Sequence, residues 1–375
     1  MARTGQVGEA AASAAVCARR WLDAVGLAAS GLVLAALLSA CASFDRLPAV
    51  PLALAYEIKP LDVPYARFYA DGDPAVFRAL AYEMVAKARA HRTAAGIDTK
   101  KVAPTNFLAI SGGGDDGAFG AGLLVGWTAR GDRPEFAVVT GISTGALSAP
   151  FAFLGSEYDE QLKRVYTETS PDMIFQTEPI LAILSGDAVT DTTPLKRLIA
   201  SYVDDAMVRR FAEEYDKGRL LLIATTNLDQ ARSIIWNIGA IAKSPDPRAR
   251  ELIIEVLRAS ASIPGAFPPV MLDVTVDGKR YEEMHVDGGA MAQVFLYPPS
   301  LRLKTVDRMR PGHKDVAYII RNGRLFRAET SVKRQTLAIA GQAISTMTAA
   351  NAVNDLYRIY LTAQRDGVDF NLAYL

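Results

Sequence analysis

Apolar and polar positions alternate along this chain in short, distinct rhythms. The first is an uncharged run, Ala24 to Ala40 (AVGLAASGLVLAALLSA), of 17 residues. That is short for a bilayer span, which needs roughly 20 apolar residues, and suits the apolar core of a secretory signal. Residues 42–67 then carry Pro48, Pro51, Pro60 and Pro64, a pattern that predicts an extended tether. Asp73-Pro74 has the form of an N-cap and first helical position. Val76, Phe77, Leu80 and Met84 follow at helical spacing, so a packed helix is expected to end near His91.

From residue 106 the rhythm changes. Asn106 to Ile110 is a short apolar run, followed by a glycine cluster and a helix-like stretch, Ala118 to Ala129. Phe136 to Thr140 is a second run, followed by a glycine-flanked serine and another helix-like stretch, Ala146 to Leu154. Leu220 to Thr225, Ser233 to Ile238, Tyr281 to Val286 and Asp315 to Ile320 are further strand candidates, and Arg248 to Ser260 a helix. Strand, loop, helix, strand, turn, helix is the signature of an α/β fold with a mainly parallel sheet and helices packed on it. The Ala-rich segment Ser331 to Arg365 reads as a packing helix, broken at Gly341 and stopped by Gly367. Residues 168–190 mix Pro with Met173, Ile174, Phe175, Ile180 and Leu181; a mobile apolar wall over a site and a helix buried under the sheet are both open there.

Composition narrows the picture. Half of the 375 residues are apolar and 22% are charged, which excludes disorder and leaves room for one large domain or two smaller ones. Lys+Arg and Asp+Glu are equal at 41 each, so charge provides no reason to expect a nucleic-acid partner. Three His and two Cys argue against a multi-ligand metal site. Both cysteines, Cys17 and Cys41, are near the start, and Arg19 and Arg20 precede the apolar run, which ends Leu38-Ser39-Ala40-Cys41. This ending resembles the bacterial lipobox, in which the cysteine becomes the lipidated new terminus; a short uncleaved anchor is the other reading. Lipidation at Cys41 leaves 335 residues with no second cysteine and a formal charge of 38 − 39 = −1. Ala42, standing where Asp would signal otherwise, points to an outer-membrane lipoprotein of the bacterial cell envelope.

Three segments carry chemistry. Gly141-Ile142-Ser143-Thr144-Gly145 comes after a strand and precedes a helix, the context of a nucleophile elbow. The tight turn pushes the serine hydroxyl outward, and a helix starting there aims free N–H groups at a forming negative charge. Gly112-Gly113-Gly114-Asp115-Asp116-Gly117 also comes after a strand. It fits the dinucleotide fingerprint G-x-G-x-x-G, but Asp115 and Asp116 would place two carboxylates where a pyrophosphate must sit. The same glycine N–H groups suit a developing oxyanion, and residues 112 and 143 are one βαβ unit apart. Asp287-Gly288-Gly289 comes after a third strand candidate, and taken alone it reads as an ordinary turn.

Together these segments resemble the patatin-like phospholipase family, whose oxyanion loop G-G-G-x-[RK]-G, G-x-S-x-G and D-G-[GA] motifs occur in this order. The stretch Ser260 to Pro269, SASIPGAFPP, is similar to a segment upstream of the family's aspartate. The resemblance spans about residues 104–300 and implies a three-layer α/β sandwich and hydrolysis of lipid acyl esters by a Ser-Asp dyad. Carried over, Ser143 is the nucleophile, Asp287 the base, and the amides of Gly112, Gly113 and Gly114 the oxyanion hole, with no metal or cofactor. The implied partners are a lipid or acyl-ester substrate and, through Cys41, a membrane. The chain then divides into a signal peptide 1–40, a lipidated tether with a helix 41–103, a catalytic domain 104–300 and a C-terminal strand and helical region 301–375. Asp116 departs from the pattern, standing where the family has a base, and implies a preference for neutral esters over anionic lipids.

Two other readings stand beside this one. Ser143, Asp287 and His313 obey the chain order of an α/β-hydrolase triad, although His313 reads as a loop residue. His285 reads as a supporting or surface residue, and His91 as a helix-end charge. A lipid-binding scaffold without catalysis is the second alternative, and Asp116 is the feature that favours it.

Overall fold

The computed structural model describes residues 46–97, 104–170, 173–174, 176–177, 190–307, 312, 314–326, 329 and 331–375. Cys17, Cys41, the run Ala24 to Ala40, His313 and most of 168–190 lie outside the described residues.

Strands form where β-branched and large apolar residues run together. They are β1 (Arg67–Tyr69), β2 (Thr105–Ile110), β3 (Val138–Gly141), β4 (Gln176–Thr177), β5 (Thr190–Asp191), β6 (Leu220–Asn227), β7 (Arg232–Asn237), β8 (Val270–Val276), β9 (Lys279–Asp287), β10 (Asp315–Arg321) and β11 (Asp369–Tyr374). Apart from the small β4–β5 pair they make one sheet in the order β1-β7-β6-β3-β2-β10-β11, with the β8–β9 hairpin joined to β6 through β9. The run β6-β3-β2-β10-β11 is parallel throughout.

Helices cover both faces, as a parallel sheet requires. They are α1 (Pro74–Ala94), α2 (Gly117–Arg130), α3 (Thr144–Leu154), α4 (Asp159–Thr167), α5 (Thr193–Tyr202), α6 (Asp205–Asp216), α7 (Ile238–Ala242), α8 (Ala249–Ser260), α9 (Leu303–Asp307) and α10 (Thr336–Asp366). Because side chains alternate along a strand, Leu108 and Ile110 of β2 enter one core with residues of α2, α3, α5 and α8. Phe107 and Ala109 enter the other, with residues of α1, α9 and α10. The architecture is the expected three-layer α/β sandwich. The Asp73 carboxylate accepts from the Ala75 N–H at 2.7 Å and caps α1.

Three features depart from expectation. Residues 47–66 are not a free tether. Val50 and Ile58 are buried with Val274, Val276 and Tyr281, and Glu282 fastens the segment through the Leu47 N–H and the Pro48 carbonyl. The segment folds into two short 3-10 helices, Leu52–Glu57 and Pro60–Asp62, and its apolar side chains have the back of the β8–β9 hairpin to cover. Helix α10 is not broken at Gly341; it runs for 31 residues to Gly367, whose φ of 75° stops it. Its buried side chains, Ala352, Leu356, Ile359 and Ala363 among them, lie in the second half, while no described side chain from 336 to 351 is fully buried.

The third departure is His285, part of a buried polar chain that crosses the sheet near the end of β9. Arg67 pairs with Glu283, which also accepts from Asn227 Nδ2 at 3.0 Å. His285 Nε2 lies 3.3 Å from Glu283, and its Nδ1 lies 2.9 Å from the Thr225 hydroxyl, which accepts from Trp236 Nε1. His285 is thus fully buried and not a surface residue, because it shares a strand face with Glu283 and Asp287. Burial pushes the Glu283 carboxyl up, but Arg67 and His285 outweigh it and hold it down at about 2. Removing one partner of such a pair leaves a buried charge stranded. Glu283→Ala is therefore expected to cost about 3–5 kcal/mol, read by urea unfolding; an unchanged midpoint would remove this pair from the fold's stability.

Candidate active site

Strands β3 and β9 meet end to end on one edge of β6, since β7 takes the other edge. β3 pairs with Leu220 to Ile223 of β6, and β9 pairs antiparallel with Thr225 to Asn227. The register places Gly141 opposite Ile223 and Asp287 opposite Thr225, two positions apart, about 7 Å along the strand. The residues immediately after Gly141 must therefore face Asp287.

Those residues form the elbow. Ser143 has φ 56° and ψ −128°, a region that costs a non-glycine residue about 1–3 kcal/mol. The flanking glycines are demanded by close approach. A Cβ on Gly141 would lie 2.5 Å from the Gly145 carbonyl oxygen, and one on Gly145 would lie 2.3 Å from that of Ile110. The turn is held from outside by Ser260, whose hydroxyl accepts from the Ser143 N–H at 3.1 Å and donates to the Ala224 carbonyl at 2.7 Å. Helix α3 begins at Thr144, so its N-terminus lies beside the serine.

Asp287 is the other half. Only 4% of it is exposed, and the Gly289 N–H donates to its Oδ1 at 2.6 Å. Its own N–H donates to the Ser262 carbonyl at 2.8 Å. Burial raises its carboxyl from 3.8 to about 7, against the opposing hydrogen bonds from the Ser143 hydroxyl and the Gly289 N–H. A carboxylate in bulk water is too weak a base near neutrality; this one is matched to it.

The glycine loop adjoins the serine: a Cβ on Gly112 would lie 3.2 Å from Ser143 Cβ. Its three amides are not equivalent, however. The Gly112 N–H donates to the Gln293 carbonyl at 3.0 Å, so this residue cannot offer the donor expected of it. The N–H groups of Gly113 and Gly114 have no partner among the described residues. A Cβ on Gly112 would lie 3.1 Å from Gln293 Oε1, and the amides left free in the loop are those of its two successors.

Residues that the sequence pattern did not single out shape this loop. Arg321, at the end of β10, is buried and donates through Nη1 to the Gly112 carbonyl at 2.7 Å and the Ser111 hydroxyl at 3.1 Å. A trans peptide points its C=O and N–H in opposite directions, so gripping the Gly112 oxygen aims the Gly113 N–H away from Arg321. Asn322 binds the Ser111 carbonyl and the Gly120 N–H through its amide, and its carbonyl would lie 2.0 Å from a Cβ on Gly113. Burial disfavours the Arg321 charge, while the carboxylates of Asp116 and Asp355 favour it. The exposed Asp116 thus favours, from a distance, the charge of a cation delivered by a different strand. Gln293 completes the frame, with its side chain donating to the Gly289 carbonyl at 2.9 Å.

A cavity of about 530 Å³ lies alongside, walled by Ile142, Ala224, Ile235, Met291 and Phe295 among others. Neither Ser143 nor Asp287 is in its wall. The exposed side chains of Ile263 and Met291 instead put apolar surface next to the segments that hold Asp287.

Residues 108–298 match the family model of patatin-like phospholipases. Among solved structures, VipD from Legionella pneumophila is 15% identical, with a TM-score of 0.36, over 64% of this chain and 53% of VipD, so the chain spans about half of that protein's length. No curated protein matches.

A carboxyl raised to about 7 in the fold and near 3.8 unfolded binds its proton more tightly when folded. Its contribution to stability is therefore fully present below about pH 4 and is lost as pH rises through 7. Asp287→Asn is expected to raise stability by roughly 2–4 kcal/mol at pH 8 and by little at pH 4, read as the pH dependence of Tm. Equal effects at both pH values would contradict the raised carboxyl.

Proposed function

The chain belongs to the patatin-like phospholipase family, and from that premise we propose that it is a serine lipid acyl hydrolase with Ser143 as nucleophile and Asp287 as general base. One observation carries this reading: a buried carboxylate poised near neutrality, on which the hydroxyl of a serine on a strained turn acts. A serine hydroxyl is a weak nucleophile until a base takes its proton.

Asp287 accepts the Ser143 proton as Oγ attacks the ester carbonyl carbon. The carbonyl electrons move onto oxygen, and that oxyanion is received by the Gly113 and Gly114 N–H groups at the N-terminal end of α3. The intermediate collapses to an acyl-serine, and the departing alcohol takes the proton from Asp287. Water then gives a proton to Asp287 and its oxygen to the acyl carbon. The second tetrahedral intermediate releases the fatty acid, and the proton returns to Ser143. The acyl chain lies against Ile263 and Met291 at the rim. The activity falls in the phospholipase A, lysophospholipase and esterase range. The imidazole of His285 is committed to Glu283 and Thr225, which supports a dyad.

We place the enzyme on a membrane of the bacterial cell envelope, held by a lipidated Cys41 and facing its substrate there. The support is the Leu38-Ser39-Ala40-Cys41 ending after an uncharged run; two or more acyl chains hold a protein on a bilayer.

Ser143→Ala is expected to abolish hydrolysis of a short-chain ester and labelling by a serine-reactive phosphonate, and Asp287→Asn to lower kcat about 10³-fold or more. His313→Ala keeps most of the activity; a matching loss would favour a triad. In the wild type, kcat/KM should rise with pH through an apparent value of about 7; folded protein that neither turns over esters nor takes up the phosphonate would be a scaffold. Arg321→Met should lower kcat on the order of 10- to 100-fold, below the ~10²–10³ for losing an oxyanion donor outright, with KM little changed and partial recovery in Arg321→Lys. Parallel losses in KM and kcat would make Arg321 merely structural.

A further inference from the structure

Helix α10 is too long for the layer it belongs to. Its 31 residues span about 46 Å, whereas the seven residues of β10 span about 23 Å. The chain leaves β10 at the catalytic edge, where Arg321 grips the glycine loop, and returns through α10 to the parallel strand β11. The helix therefore starts at the catalytic edge and runs back along the sheet. Its buried positions begin at Ala352, and from there to Asp366 it covers about 22 Å, the length of the strand. The preceding 16 residues, 336–351, add about 24 Å of helix toward the end of the sheet that holds Ser143; no described side chain among them is buried, and Thr348 to Asn351 are half-buried.

This first half has the wrong surface for water. Residues 336–354 contain no charged side chain. Ile339, Ile344 and Met347 are each more than half exposed, and Tyr357 and Leu361 continue the exposed row. At 100° per residue Ile339, Met347, Tyr357 and Leu361 fall within about 80° of one another, so they form one stripe. The connection from β10 adds Phe326, 80% exposed. Charges in residues 322–354 are Arg324, Arg327, Lys333 and Arg334 against Glu329 alone, a net of 4 − 1 = +3. The two acids farther along, Asp355 and Asp366, are buried. No described helix is long and apolar enough to cross a membrane.

We propose that the first half of α10, with Arg324, Phe326, Lys333 and Arg334 of the connection before it, is a docking surface for an anionic phospholipid bilayer. The stripe lies in the interface with its apolar side chains among the acyl chains, and Arg324, Lys333 and Arg334 meet the phosphates. The second half of the same helix leads to the site, since the Asp355 carboxylate accepts the Gln293 N–H at 2.6 Å and the Gln293 carbonyl holds Gly112. Docking thus sets the glycine loop and Ser143 at the lipid surface. Lipid hydrolysis at Ser143, as proposed above, gives this surface its purpose, while binding is read without turnover.

The test uses the full chain carrying Cys17→Ser, Cys41→Ser and Met347→Cys, the last labelled with an environment-sensitive fluorophore. Emission should shift to the blue on vesicles of phosphatidylglycerol and phosphatidylcholine and stay unshifted on phosphatidylcholine alone. Lys333→Glu and Arg334→Glu should each weaken partition about fivefold or more. Ile339→Asp should lower hydrolysis of vesicle lipid about tenfold and leave a soluble short-chain ester unaffected. An aqueous-like emission on vesicles with which the protein sediments would overturn the proposal, as would failure to bind anionic vesicles. A blue shift without vesicles that grows with protein concentration would assign the face to a second copy and also overturn it. Insertion with no ester turnover would spare the docking surface and sink the hydrolase reading.

Discussion

A carboxylate held out of water against a serine hydroxyl is the constraint around which the molecule is arranged. Asp287 is buried and poorly solvated, and its ionised form is costly there. The sheet imposes that cost. β3 and β9 run into each other along one edge of β6, and the junction leaves no room for bulk solvent. A strained φ at Ser143 adds to the cost. The two cores that sandwich the sheet, one packed by α2, α3, α5 and α8 and the other by α1, α9 and α10, offset both. Sites of this kind are where a fold gives up local stability for a matched base.

The glycine loop shows how such a site is held from a distance. Its donors are main-chain groups, so their direction is set by whatever holds the neighbouring carbonyls. Arg321 and Asn322 do this from the end of β10, two strands' width away from Ser143 in the sheet order β3-β2-β10. The carboxylates of Asp116 and Asp355 stabilise the buried guanidinium. Asp116 contributes to the field around a cation carried by a separate element. Viewed along the chain it is an acid in a loop; viewed in space it is part of a cation's environment.

α10 joins two tasks that are separate in most helices. Its second half completes the second core and supports Gln293 through Asp355. Its first half is uncharged, has no buried side chain among the described residues, and exposes Ile339, Ile344 and Met347. A helix apolar on a face that no other described part of the fold covers is out of place in water, and this one starts at the edge of the sheet where Ser143 and Asp287 stand.

The local rhythms determined much on their own. Apolar runs, glycine spacing and N-cap chemistry marked β2, β3, β6, β7, β9, β10, α1, α2, α3 and α8 to within a few residues, and βαβ geometry brought the glycine loop beside Ser143. Those features depend on neighbours in the chain. β8, absent from the strand candidates, also carries a local sign, Asp277-Gly278 between alternating segments. Other features had no local sign. The Gly112 N–H is used by Gln293, 181 positions away by the difference 293 − 112, and periodicity cannot report who accepts it. Arg321 looks like any strand-end arginine until β10 is placed beside β2. The segment 47–66 looks like a tether until the β8–β9 hairpin provides a surface to cover. The length of α10 was readable, but only the fold shows that no described side chain of its first half is buried. Sequence determines which elements form, because the forces that nucleate them are short-ranged. Tertiary structure decides which donors remain free, which charges are paired and which faces stay bare, because those depend on register between segments that meet only in the folded chain.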